Sequence, residues 1–116
     1  MTQVLIYHNP RCSKSRQTLQ LIHDQNIDPE IVEYLTSPPT FDQLVEILNL
    51  LGKTPRELMR QGEPEYRING LDNQNLSDKE LIEAMCAYPI LIERPIVLTG
   101  DKAAIGRPPE SILEIL

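Results

Sequence analysis

Val4-Leu5-Ile6-Tyr7-His8-Asn9-Pro10-Arg11-Cys12-Ser13-Lys14-Ser15-Arg16 is the stretch on which the fold of this chain turns. Val4 to Tyr7 is apolar and partly β-branched, and His8-Asn9-Pro10 interrupts it, so a buried strand is expected to end near His8. From Ser13 onward the apolar period lengthens. Leu19 and Ile22, with Thr18 and Leu21 beside them, mark one face of a helix that should stop near Asn26. Cys12 therefore stands where a strand gives way to a helix, with unpaired N–H groups and the positive end of the helix dipole aimed at it. Such a setting lowers a thiol from its ordinary value near 8.5 to about 3.5–7.5, enough to make it a nucleophile at neutral pH.

Outward from this junction, Glu30-Ile31-Val32-Glu33-Tyr34-Leu35 alternates as a second strand, closed by Ser37-Pro38-Pro39. A strand, helix, strand unit of this length predicts a right-handed crossover between parallel strands. Thr40 followed by Gln43 is a capping box, and Leu44, Ile47, Leu48 and Leu51 form an apolar face up to Gly52. Thr54-Pro55 opens a helix expected to run from Arg56 to Arg60, and Ser77 with Glu80 caps another ahead of Leu81, Ile82, Met85 and Cys86. Residues 40–88 thus read as mostly helical. Ile96 to Thr99 and Lys102 to Ile105 flank Gly100-Asp101 as an antiparallel pair, and Pro108-Pro109 starts a last short helix to Leu116. The expected class is α/β: a thioredoxin-like mixed four-stranded sheet with helices on both faces and a helical insertion at about 40–88, in a single domain over 1–116.

With 116 residues, 41% of them hydrophobic, the chain can build one compact core. Seventeen acidic against eleven basic residues give a formal net charge of −6, which opposes attraction to a phosphate backbone, so nucleic acid is not an expected partner. No apolar run approaches the roughly 20 residues of a membrane helix, and Met1 to Tyr7 lacks the basic start of a signal peptide. A cytoplasmic protein with no membrane partner is expected, and a monomer. In that compartment cysteines stay reduced, so Cys12 and Cys86 are read separately. Arg11, Lys14 and Arg16 stand in the first 23 residues without a single Asp or Glu; charge alone favours a solvated helix start, but beside Cys12 these cations are also candidates, with His8, to favour its thiolate.

Ser15, three positions after Cys12, makes the motif Cys-x-x-Ser, so the loop cannot close its own disulfide. A phosphatase-type loop would place an arginine six positions after the cysteine, where this chain has Thr18. His8, Cys12, His23 and Cys86 show none of the paired spacings of zinc sites, and no metal is expected. Cys86, between Met85 and Ala87 on a helical face, reads as a small buried hydrophobe, and His23 as a solvated surface residue. His8 directly precedes the nucleophile loop. As an imidazolium it would favour the thiolate, as a neutral ring it would cap the strand end, and the electrostatic role is preferred. A thiolate attacking an oxyanion needs planar guanidinium groups to hold the remaining charge. Arg60, Arg94 and Arg107 each stand at an element junction, though a surface ion pair describes any one of them alone.

His8 to Arg16 together with Arg94-Pro95-Ile96-Val97 resembles the glutaredoxin-coupled arsenate reductase family. The likeness runs nearly end to end, through Tyr34-Leu35 before Pro38-Pro39-Thr40, Arg56-Glu57-Leu58 leading to Arg60, Pro89-Ile90-Leu91, and Gly106-Arg107-Pro108. The resemblance implies Cys12 as nucleophile, His8 and Ser15 as the histidine and serine that support it, and Arg60, Arg94 and Arg107 as the arginines that hold a small oxyanion. It also implies a reaction without a tightly bound cofactor. Cys12 forms a covalent adduct with arsenate, glutathione as co-substrate attacks it, and glutaredoxin resolves the product. A cis Arg94–Pro95 bond is expected from the same likeness. Within the loop Arg11, Ser13 and Lys14 replace the Ala, Gly and Thr of the better-known arsenic-resistance members, and the chain ends at Leu116, short of their tail. These departures suggest a sibling branch. A glutathione-linked thiol oxidoreductase, or a regulatory adaptor of the same fold that binds RNA polymerase, is the alternative. The adaptor's Cys-x-x-Cys switch is missing here.

Overall fold

The computed structural model describes residues 3–116. The chain divides into two compact units, one made of the residues up to Ser37 together with Arg94–Leu116, the other of Pro38–Glu93.

In the first unit β1 (Val4–His8), β2 (Glu30–Glu33), β3 (Ile96–Thr99) and β4 (Lys102–Ile105) form a four-stranded sheet in the order β2-β1-β3-β4. β1 runs parallel to β2 and antiparallel to β3, and β3 is antiparallel to β4. The register pairs Val4 with Thr99 and Ile6 with Val97, which puts Val4, Ile6 and Val97 on one face. Helix α1 (Ser13–Asp24) and a 3₁₀ helix (Pro109–Ile115) share that face, delivering Ile22 and Ile112 to the same cluster. Ile6, Ile22, Val97 and Ile112 are all fully buried there, each worth about 1.5–3 kcal/mol relative to exposure. Helix α1 stops because Asn26 adopts a left-handed φ of 60°. The Asn26 N–H reaches His23 O and the Ile27 N–H reaches Ile22 O, closing the helix end while Ile27 packs beside Ile22. The hairpin turns at Gly100, whose φ of 58° suits the first central position of a two-residue loop.

β2 is shorter than the alternation predicts. Thr36 and Ser37 both donate backbone N–H groups to Glu33 O, turning the chain after Glu33, so Tyr34 and Leu35 lie outside the strand. As an edge strand it also leaves Ile31 45% exposed, so the apparent alternation marks no fully buried face.

In the second unit α2 (Phe41–Leu51), α3 (Pro55–Leu58), α4 (Pro64–Ile68) and α5 (Asp78–Ala87) make up the helical insertion. Thr40, Thr54 and Ser77 each close a complete capping box, as their sequence spacing requires. Gly52 ends α2 in the left-handed conformation, with Lys53 N–H bonded to Leu48 O. Arg56 ties this unit together. Its guanidinium donates to the Tyr66 hydroxyl, to Leu71 O at 2.7 Å and to Asn73 O at 3.0 Å. Helix α3 is shorter than expected, because Met59 turns extended and pairs with Ile92. Arg60 therefore does not end a helix. It lies on an extended segment whose N–H donates to Leu91 O.

Candidate active site

The strand-to-helix junction is built as the sequence requires. Cys12 is the N-cap of α1, with extended backbone (φ −97°, ψ 124°), which sets its sulfur at the N-terminal end of the helix. The loop before it is held by short-range bonds. Cys12 N–H donates to Asn9 O at 3.0 Å, Arg11 N–H to Asn9 Oδ1 at 3.0 Å, and Arg16 Nη1 to Pro10 O at 2.9 Å. Asn9 and Arg16 thus shape the loop. The sequence placed both in the motif without giving Asn9 a role.

Burial raises the Cys12 thiol, but the backbone N–H groups of Ser15 and Lys14 and the charges of Arg94 and Arg107 outweigh it and hold the pKa below its ordinary value. Arg107 Nη2 donates to Cys12 Sγ at 3.6 Å. Its Nε donates to Arg94 O at 2.8 Å, which fixes the guanidinium against the chain that carries the second arginine. Arg94 has its Nε and Nη1 atoms buried. The Arg94–Pro95 bond is cis as expected, and Arg107–Pro108 is cis as well. Two guanidinium groups and the first N–H groups of a 12-residue helix thus surround a half-buried sulfur. The cations that matter come from the end of the chain, whereas Arg11, Lys14 and Arg16 in the loop are exposed.

His8 departs from its expected role. It is 6% exposed, and its pKa is lowered chiefly by burial and further by Arg16, against the raising effect of Glu33. A neutral ring at neutral pH cannot supply the positive charge that an imidazolium beside the thiol would give. Its Nδ1 lies 2.6 Å from Ser15 Oγ, which also accepts the Asn9 N–H at 3.0 Å. With the ring proton on Nε2, the Ser15 hydroxyl donates to Nδ1 while accepting from Asn9. His8 and Ser15 therefore form a buried strut between the strand end and the first turn of α1, with Asn9 held at its base. Ser15 is fully buried.

Thr18, where a phosphatase-type loop would carry an arginine, is fully buried and donates its hydroxyl to Lys14 O at 2.8 Å. Arg60 belongs to the second unit, where its Nη1 pairs with Glu63 Oε1 at 2.6 Å beside an open cleft lined by Gln61, Gly62 and Glu93. Cys86 is half-buried on α5 rather than fully buried as expected, and its thiol is pushed up by burial and by the carboxylate of Glu83. It keeps the unreactive character read from its place in the sequence. His23 is exposed in the last turn of α1.

A thiolate flanked by backbone donors and guanidinium groups can attack an electrophilic centre that carries several oxygens, since the same donors hold the displaced charge. The ArsC family model matches residues 7–115 of the chain. An uncharacterized protein of Escherichia coli strain K12, YfgD, is 51% identical over 98% of this chain and 97% of its own length. The arsenate reductase of Neisseria meningitidis serogroup B is 46% identical over the full length of both chains. Among solved structures, the arsenate reductase from Vibrio cholerae superposes with a TM-score of 0.96 at 46% identity, covering 99% of this chain and 98% of that one.

Proposed function

The chain belongs to the ArsC family, and from that premise we propose that it is an arsenate reductase whose nucleophile is Cys12. The observation that carries the proposal is the half-buried Cys12 sulfur at the start of α1, with its pKa lowered and Arg107 3.6 Å away. The thiolate displaces one oxygen of arsenate as water or hydroxide, forming a sulfur–arsenic bond with arsenic still pentavalent. Arg94 and Arg107 hold the remaining oxygens, each guanidinium offering parallel N–H donors to a tetrahedral anion. The loop N–H groups of Lys14 and Ser15 neutralise the same charge.

Reduction to arsenite takes two electrons, and Cys12 with Ser15 at the third following position has no partner thiol in its own loop. Two external thiols supply them and leave as a disulfide. In this reading glutathione adds to the arsenic, a glutaredoxin thiolate then takes the glutathione sulfur, and hydrolysis frees arsenite from Cys12. His8 and Ser15 position the loop and do not touch the reacting atoms. Family likeness adds Arg60 as a further grip on the oxyanion, to be read from the arsenate KM of its Lys variant. The experiment for the whole reading is NADPH oxidation with glutathione reductase, glutathione and glutaredoxin present. Oxidation should depend on arsenate and on each thiol component. Arsenate-independent turnover of glutathionylated protein substrates would favour the thiol oxidoreductase instead.

A further inference from the structure

We propose that Gly106 is a positioning residue for the Cys12 thiolate, required to be without a side chain so that Arg107 and the first turn of α1 close on the sulfur together. The inference rests on Cys12 being the nucleophile and adds a residue that neither burial nor charge identifies.

Gly106 is buried, and its backbone is not in the left-handed region, so conformational freedom does not explain a glycine there. Space does. A Cβ at this position would lie 2.8 Å from Pro95 Cγ and 3.0 Å from Thr18 Cγ2, and closer still to Thr18 Oγ1. Neither neighbour gives way easily. Thr18 is fully buried and tethered by its hydroxyl to Lys14 O, and the Pro95 ring is buried with its carbonyl accepting the Gly106 N–H at 2.9 Å.

Each member of this three-way contact is adjacent to a group that acts on the sulfur. Gly106 precedes Arg107, which donates to Cys12 Sγ. Pro95 follows Arg94, whose charge lowers the thiol and whose carbonyl fixes Arg107 Nε. Thr18 lies one helical turn beyond Lys14 and Ser15, whose N–H groups lower the thiol pKa. The close packing of the Thr18 side chain and the Pro95 ring on the Gly106 backbone therefore sets the distances among all three sources of stabilisation. A methyl group would wedge α1 away from the segment carrying Arg107.

Ultraviolet titration of the Cys12 thiolate, in the full chain with Cys86→Ser so that a single thiol reports, tests this directly. Gly106→Ala should raise the Cys12 pKa by about one unit, the effect of weakening one close opposite charge. It should also raise the KM for arsenate more than it lowers kcat. Adding Thr18→Ala removes two of the three close contacts and should return much of the lost thiolate. A Gly106→Ala protein that is less stable but keeps the parent pKa and KM would overturn the proposal, since a packing role alone predicts that pattern. If Gly106→Ala does not fold, Thr18→Ala alone, which loosens the same contact, should raise the pKa by a smaller amount. An unchanged pKa there would equally overturn it. The titration needs no arsenate, so it separates failure of this inference from failure of the arsenate reading.

Discussion

Replacing Arg107 with Gln removes one positive charge beside the nucleophile and keeps a planar donor of similar reach. At the observed 3.6 Å, two unit charges attract by about 1.2 kcal/mol in bulk water and about 4.6 kcal/mol at an effective permittivity of 20. Cys12 is half-buried and Arg107 exposed, so solvent screening places the pair near the lower figure. One pKa unit corresponds to about 1.4 kcal/mol, so Arg107→Gln should raise the Cys12 pKa by about one unit. The sign follows from the charge, because losing a nearby cation disfavours the anionic thiolate. At any pH below both values the thiolate fraction falls about tenfold. The assay is thiolate absorbance against pH in a Cys86→Ser background, checked by the rate of alkylation at fixed pH. Arg107→Lys keeps the charge and should recover most of the pKa but less of the arsenate affinity, having lost the planar fork. A Cys12 pKa that stays put in Arg107→Gln would refute the claim that this guanidinium stabilises the thiolate.

Ser15→Ala strips the partner from the His8 ring and from the Asn9 N–H, so it should cost about 2–3 kcal/mol in urea unfolding. A loss below about 0.5 kcal/mol, the size of an ordinary surface change, would show that the strut is not structural. His8 titrates below its ordinary value near 6.5 in the folded chain, so the stability it contributes is fully present above 6.5 and is lost as pH falls through the folded value. Unfolding free energies of the parent should therefore fall more steeply with acid than those of His8→Gln, and parallel curves would contradict the buried neutral ring. Arg60→Lys should keep the fold and raise the KM for arsenate by about tenfold, the loss of one charged hydrogen bond. Unchanged kinetics would leave Arg60 as the ion-pair partner of Glu63 and nothing more.

The junction that carries Cys12 was legible because it is local. A four-residue apolar run, a break at Asn9-Pro10 and a change of period at Ser13 have few alternative readings, and the structure ends β1 at His8 and starts α1 at Ser13. The capping boxes at Thr40, Thr54 and Ser77 were legible for the same reason, since each motif binds only its own backbone. What escaped depends on partners distant in sequence. The end of α3 is set by the pairing of Met59 with Ile92, which no spacing near Arg60 announces. The loop cations looked like the source of thiolate stabilisation because they are adjacent in sequence, whereas Arg94 and Arg107 reach the sulfur through the sheet. His8 was read as a cation because its burial comes from tertiary packing. Gly106 was visible as part of a family-like motif, but the reason for a glycine there is contact with Thr18 and Pro95.

In the proposed reaction one thiol, Cys12, bonds to arsenate while Cys86 is a bystander. Steady-state arsenate reduction by the parent, Cys12→Ser and Cys86→Ser, with arsenite measured as product under identical supplies of glutathione and glutaredoxin, tests it most directly. Cys12→Ser should give no arsenite above background, and Cys86→Ser should keep near-parent rates. Equal loss in both variants, or arsenite formation by Cys12→Ser, would contradict it.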